Sequence, residues 1–67
     1  MKFDQEQFYK TELELAEGML LKNPEDTAQL DRASYAAAFL GKFDLAEKYS
    51  TTEKSVAIIE KYRKKHG

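Results

Sequence analysis

The chain has no cysteine and no tryptophan, and its 67 residues include one histidine, one proline and three glycines. Without cysteine, neither disulfides nor thiolate metal sites can form. The single histidine, His66, is the penultimate residue, so we expect a solvated tail side chain rather than a metal ligand or a catalytic base. No apolar run approaches the ~20 residues that a membrane-spanning helix needs. The N-terminus also lacks an apolar core followed by a cleavage site, so we predict no signal peptide and a cytoplasmic location.

Motifs of catalysis and cofactor binding are also missing. The sequence contains no glycine-rich phosphate loop, no His-Glu-x-x-His and no calcium loop. Glu14 and Glu17 are carboxylates three residues apart, but a di-iron site requires Glu-x-x-His pairs on facing helices. We therefore predict a protein that is not an enzyme and that uses no cofactor and no metal.

Charged residues make up 34% of the chain and hydrophobic residues 42%, which favours a compact helical protein over a disordered one. A single domain over residues 1–67 buries only about 60% of the surface of its unfolded chain. With disulfides and metals excluded, stability must come from regular helix packing or from self-association. The chain has eight aromatic side chains, more than a domain of this size is expected to bury. Together with the small size and the lack of disulfides, this predicts a homodimer.

Charge is unevenly distributed along the chain. Residues 1–31 carry eight acids and three bases, a net charge of −5, and residues 32–67 carry four acids and eight bases, a net charge of +4. The first interpretation is complementarity within the chain or between subunits. The second is a basic tail that meets an acidic partner.

The first helix is predicted over residues 4–22. Asp4 can cap it with Gln7 three residues later, and Phe3 with Phe8 fits a hydrophobic staple. Gly18 indicates either a close helix contact or a tolerated surface glycine. The apolar spacing predicts a buried face formed by Tyr9, Leu13, Ala16 and Leu20. This face is widened by Phe8, Leu15 and Met19.

The second helix is predicted over residues 24–40. Asn23 is the expected cap, since Pro24 suits a first helical position, and Gly41 is the expected stop. Alanine at positions 33, 36, 37 and 38 makes this helix slim, so that other helices can approach closely. We therefore expect the rest of the chain to pack around it.

The third helix is predicted over residues 44–65, with Asp44 as its cap. Residues 50–52, Ser-Thr-Thr, favour caps over helix interiors. We prefer one helix with a bend there to a separate helix that starts at Ser50. Short connections make neighbouring helices antiparallel, so the predicted fold is all-α with three helices in an up-down-up order. Its buried face is predicted to contain Leu45, Tyr49, Thr52, Val56 and Ile59.

The spacing around the second turn resembles the tetratricopeptide repeat, a 34-residue helix–turn–helix unit. Gly41, Phe43 and Ala46 match its glycine, aromatic and alanine positions, and Pro24 matches the proline that closes a preceding repeat. Leu15-Ala16-Glu17 resembles the end of that preceding repeat, and Thr27 would open the next one. Leu30 then takes the place of the family's usual tryptophan, and Ala33, Ser34 and Ala37 stand where the family has leucine, glycine or alanine, and tyrosine. The resemblance covers roughly residues 10–58, about one and a half repeats, and implies a helical hairpin and peptide binding.

The main departures from that family lie toward the end of the repeat. Ser50 and Glu53 replace an aromatic and an alanine that pack between helices, and Ile58 replaces the closing proline. Arrays of such repeats usually need three or more units. No peptide-clamping residue of the family is recognisable, so none is transferred.

These observations favour a small protein–protein interaction module, an adaptor, regulator or inhibitor that presents a helical face. Tyrosine is enriched at interface centres, and we expect partial exposure of Tyr35 and Tyr62 but burial of Phe8, Phe39, Phe43 and Tyr49. The alternative is a nucleic-acid-associated regulator, which the acidic pI of 5.8 disfavours. Its contacts would come from the basic end, Lys61, Arg63, Lys64 and Lys65.

Overall fold

Four α-helices make up the structure, a computed structural model that describes residues 4–66 without the side chain of His66. They are α1 (Gln5–Lys22), α2 (Thr27–Phe39), α3 (Phe43–Tyr49) and α4 (Glu53–His66). The all-α class is confirmed. The predicted count of three is wrong, because the chain leaves the helical conformation between α3 and α4.

α1 begins and ends where the sequence predicts. Asp4 is its N-cap, and Asp4 Oδ1 accepts a hydrogen bond from the Gln7 amide at 3.1 Å. Lys22 is the last helical residue, because Pro24 disfavours a helical conformation at Asn23. The predicted staple residue Phe3, like the tail side chain of His66, lies outside the described part of the chain.

α2 begins three residues later than predicted. Asp26, not Asn23, is the N-cap, and its Oδ1 accepts hydrogen bonds from the amides of Ala28 at 3.2 Å and Gln29 at 3.4 Å. Asn23 instead closes the preceding turn, since its side chain accepts from the Glu25 amide at 3.3 Å. The Asp26 carboxylate lies at the N-cap, at the positive end of the helix dipole, which favours the later start.

Gly41 ends α2 as predicted. Its φ of +78° is the left-handed conformation that L side chains rarely adopt. The Gly41 amide donates to Ala38 O at 3.1 Å and the Lys42 amide donates to Ala37 O at 2.9 Å. These two bonds form a Schellman motif, which satisfies the last carbonyls of α2 and reverses the chain.

The start of α3 differs from prediction. α3 begins at Phe43, and its N-cap position is Lys42, which makes no side-chain capping bond, so Asp44 is not the cap. Because the Schellman turn already orients the chain, Ala46 N reaches Lys42 O at 2.9 Å without a capping side chain. Asp44 still lies in the first turn, where its charge is favourable.

A cap inside the Ser-Thr-Thr segment explains why α3 and α4 are separate helices. Ser50 is extended, with ψ of 118°. Thr52 Oγ1 accepts from the Ser55 amide at 3.1 Å, and Ser55 Oγ accepts from the Thr52 amide at 3.2 Å. This reciprocal pair is a capping box with serine at the third helical position. The alternative prediction, a separate helix, is therefore correct, but its N-cap is Thr52 and not Ser50.

Ring contacts show the direction of each helix. Tyr9 near the start of α1 stacks on Phe39 at the end of α2, with centroids 4.1 Å apart, so these helices are antiparallel. Arg63 near the end of α4 lies over the ring of Phe43 at the start of α3, at 5.4 Å. Phe39 also meets Tyr62 edge-on at 5.8 Å, so α4 runs parallel to α2. Successive helices are antiparallel, as predicted, but with one helix more.

The alanine-rich helix α2 is the centre of the packing. It contacts each of the other helices, whereas no Cα of α1 within residues 4–66 comes within 8 Å of α3 or α4. Its alanines at positions 33, 36, 37 and 38 are buried. Around them the core is completed by Leu13, Ala16, Leu20, Ala46 and Ile59. The Cα atoms span 32 × 29 × 16 Å, so the molecule is flat and leaves α1 covered on one side only.

Candidate interaction surface

The outer flank of α1, defined by Leu15 and Met19, is apolar and exposed. These side chains are 54% and 49% exposed. Phe8 lies about two helical turns before Leu15 and is 42% exposed. The prediction that they widen the buried face is therefore wrong. α2 covers only the side of α1 that carries Leu13, and α1 has no second helix on its other side.

The α1–α3 groove lies on the opposite edge of α1. It has a volume of about 720 Å³ and runs between the end of α1, the start of α2 and the end of α3. Its lining is mainly apolar and consists of Glu14, Glu17, Gly18, Leu20, Leu21, Pro24, Leu30, Lys48 and Tyr49. A cleft of this size lies within the range of protein binding pockets.

Two residues of the groove leave it open. Apart from its chain neighbours and its own helix backbone, Gly18 has no heavy atom within 4 Å of the position that a Cβ would occupy, so it is the surface glycine of the two interpretations. Leu21 is 87% exposed, the highest value among the large hydrophobic side chains described. An apolar side chain so exposed beside an apolar cleft favours a partner surface over a solvated helix end.

A hydrogen bond joins the two walls of the groove. The Tyr49 hydroxyl donates to Glu17 Oε2 at 2.8 Å, across helices whose backbones do not meet. Burial raises the pKa of Tyr49 above its ordinary value, and the hydrogen bond to the Glu17 carboxylate raises it further. Both effects keep the hydroxyl protonated, so the bond holds α3 against α1.

The charges on α1 are only partly compensated. Glu12 pairs with Arg32 of α2, and this hydrogen bond raises the pKa of the guanidinium. Glu6 pairs with Lys10 at 3.5 Å. Glu14 enters no ion pair of the described residues, and no cation among them neutralises Glu17. The groove therefore has an acidic wall on α1.

The predicted basic end lies on α4, where Tyr62 and Lys65 line a cleft together with Glu6 of α1 and Phe39 of α2. Arg63 is engaged by Glu47 and by the ring of Phe43, and Lys65 lies over the ring of Tyr62 at 5.7 Å. Lys61 and Lys64 are exposed. The expected complementarity within the chain is therefore slight, because only Glu12 and Arg32 join the acidic and basic halves among the described ion pairs.

The tyrosines proposed for binding do not form one site. Tyr35 on α2 and Tyr62 on α4 are both half-buried, which agrees with the expected partial exposure. Tyr62 contacts Phe39, whereas Tyr35 joins none of the ring contacts among residues 4–66. The sequence analysis did not predict the groove. Two of its lining residues could have indicated it: Gly18, which has no side chain, and Leu21, which lies outside the predicted buried face of α1.

Residues 4–66 contain no group of three or more His, Cys, Asp or Glu side chains that could hold a metal ion. None of the described helices is both long and apolar enough to cross a bilayer. The buried hydroxyls of Ser34 and Ser55 are hydrogen-bonded, Ser34 to Ala46 O at 3.1 Å, which indicates structural roles.

Comparisons with known proteins add no relative. No family model matches the chain, and neither a curated protein nor a solved structure matches it. The resemblance to the tetratricopeptide repeat therefore stays a prediction.

Proposed function

We propose that this chain is a small non-enzymatic protein–protein interaction module, an adaptor, regulator or inhibitor, that presents α1 as its binding helix. The observation that carries the proposal is the exposure of Leu15 and Met19 on a helix that packs on α2 alone. A tetratricopeptide-like hairpin in α2 and α3, and a cytoplasmic location, remain part of this proposal.

The total surface area is larger than expected for a monomer of this mass, which supports a partner. The chain exposes 4969 Å², whereas the scaling for monomeric proteins gives about 4300 Å² at this mass. The excess is similar in size to the ~800 Å² that each partner contributes to a standard interface. The excess arises because the molecule is only 16 Å thick in its shortest dimension.

A second copy of the chain is the first partner that we propose for the outer flank. Leu15 lies near the middle of α1, so two α1 helices can pair antiparallel about a two-fold axis beside it. Met19 of one copy then faces Thr11 of the other. Like charges do not face each other on this line, although Glu14, Lys22 and Arg32 border the flank.

Sedimentation tests the proposed homodimer. The wild-type chain should associate at micromolar concentration, and Leu15→Glu with Met19→Glu should be monomeric, since charges then meet across the axis. Val56→Glu is the matched control, because Val56 is 49% exposed on α4, away from the flank. A wild-type monomer at that concentration, or equal loss with Val56→Glu, contradicts the homodimer.

A photo-crosslinking amino acid tests for a different protein partner. Placed at Leu15, it should give a specific product in cells of the native source that is lost when Met19→Glu is added. The same group at Ala57, an exposed position of α4, is the control. If neither self-association nor a product specific to Leu15 is found, the outer flank of α1 is not a binding surface.

The nucleic-acid alternative rests on the exposed lysines at positions 61 and 64, since Arg63 forms a salt bridge with Glu47. Phosphate contacts weaken steeply as salt rises. Binding to DNA or RNA at about 50 mM salt that is lost with Lys61→Gln and Lys64→Gln would support it. The absence of binding at that salt concentration removes it.

A further inference from the structure

We infer that the α1–α3 groove binds a basic amphipathic helix of a partner protein, one whose apolar side chains are flanked by Lys and Arg. The inference rests on the proposed interaction function and names the partner of a second region of α1, the edge toward α3, which adjoins the outer flank at Glu14 and Gly18. Its basis is the juxtaposition of the exposed Leu21, the open space at Gly18 and the acidic wall of Glu14 and Glu17.

The apolar lining requires apolar side chains from the partner. Leu20, Leu21 and Leu30 contribute to a space of about 720 Å³, which several aliphatic side chains can fill. Leu21 is 87% exposed, so covering it removes apolar surface from water without any rearrangement of the core. The side chain therefore contributes more to a complex than to folding of the single chain.

The backbone of the partner favours a helix over an extended segment. Residues 4–66 contain no strand, so no sheet edge can take up the hydrogen-bonding groups of an extended peptide. Polyproline segments dock in aromatic-lined grooves, and Tyr49 is the one aromatic lining residue here. A helix satisfies its own backbone groups and inserts side chains at i, i+3, i+4 and i+7.

The charges on the groove select a basic partner. Glu14 and Glu17 face Lys48 across the cleft, so its ionisable lining carries a net negative charge. Lys48 lies over the Tyr49 ring at 5.6 Å, at the α3 wall. The surrounding segment is also acidic, since residues 1–31 carry a net charge of −5. Such a surface attracts cationic side chains and repels anionic ones.

The groove is formed before the partner arrives. The hydrogen bond from Tyr49 to Glu17 fixes the distance between the walls at one position. The Pro24 turn forms the end of the cleft, and Gly18 adds no side chain to its floor. A preformed cleft avoids part of the ordering cost of association.

Two synthetic peptides test the inference. One is a fluorescein-labelled helix with leucine at i, i+3, i+4, i+7 and i+11 and lysine elsewhere, and the other has glutamate in place of each lysine. By fluorescence anisotropy the lysine peptide should bind about tenfold or more tightly than the glutamate peptide at low salt. Its affinity should fall as salt rises, because the rim charges are solvent-exposed.

Variants of the groove locate the binding. Gly18→Leu should fill the cleft and abolish binding, while Gly18→Ala, with one small side chain in the same place, should leave most of it. Glu14→Lys should weaken the lysine peptide severalfold. Glu60→Lys is the matched control, since it changes the net charge equally at an exposed position of α4.

Three outcomes overturn the inference. They are equal binding of the two peptides, equal weakening by Glu14→Lys and Glu60→Lys, and unchanged binding by Gly18→Leu. Because Leu15→Glu with Met19→Glu should keep peptide binding, failure here is distinguishable from failure of the outer flank.

Discussion

The Tyr49 hydroxyl and the Glu17 carboxylate, 2.8 Å apart, connect two helices whose backbones have no contact of their own. The bond crosses from the last residue of α3 to the inner wall of the groove on α1. It makes the position of α1 depend on a side chain 32 residues away in sequence.

Tyr49→Phe should lower the stability and change its pH dependence. We expect a loss of about 1 kcal/mol in the free energy of unfolding at neutral pH, typical of one hydrogen bond. Since the folded state raises the pKa of Tyr49, the stabilisation is complete below its ordinary value of 10.0 and is lost as pH rises above it. Urea denaturation between pH 8 and 12 should therefore show a smaller decline for the variant. An identical decline in both proteins would contradict this role.

The two glycines Gly18 and Gly41 should respond to alanine in opposite directions. Gly41 has φ of +78°, where a Cβ costs about 1–2 kcal/mol, so Gly41→Ala should lower the melting temperature. Gly18 is an exposed helical residue with open space around it, and Gly18→Ala should add up to about 1 kcal/mol. Thermal unfolding followed by circular dichroism measures both. If both variants shift the melting temperature in the same direction, either Gly41 does not end α2 in a left-handed conformation or Gly18 does not lie on the exposed face of α1.

Enlargement of a central alanine should be costly. Ala37 is fully buried between helices, so Ala37→Leu forces them apart and should destabilise by about 1–3 kcal/mol. Ala57→Leu places the same side chain on the exposed side of α4 and is the control. Denaturant midpoints should differ between the two variants. If Ala37→Leu unfolds like Ala57→Leu, α2 is not the packing centre.

Removal of the α4 cap should destabilise that helix. Thr52 caps α4 through the Ser55 amide and donates to Asp31 Oδ1 on α2 at 3.1 Å. Thr52→Ala should cost about 1 kcal/mol, as for other caps, and should increase amide exchange at the start of α4. The neighbouring Thr51 is exposed and Thr51→Ala should change little. Equal effects at the two threonines would mean that the cap does not hold α4.

Helix boundaries could be predicted where one local interaction dominates. Asp4, Lys22 and Gly41 were assigned correctly because capping, a following proline and a left-handed glycine act within a few residues. Asp44 was assigned wrongly because a Schellman turn orients the chain without a capping side chain. The local sequence did not decide between one bent helix and two separate helices before α4, since the hydroxyls of residues 50–52 suit both a bend and a cap.

The candidate surface could not be predicted to the same degree. Leu15, Met19 and Leu21 have the composition of a buried face, and only the number of neighbouring helices determines whether they are covered. The α1–α3 groove joins Gly18, Leu30 and Tyr49, which no local pattern relates. Its lining depends on how α1 and α3 lie against α2.

The sequence by itself determined an all-α protein with a slim alanine-rich centre, because periodicity, caps and side-chain size are local properties. The tertiary structure alone decided that α1 has a single neighbour, and therefore that its apolar residues outnumber those that α2 can bury. The physical reason is that one packed helix covers only one face of another, and covering the remaining faces requires elements that are remote in sequence.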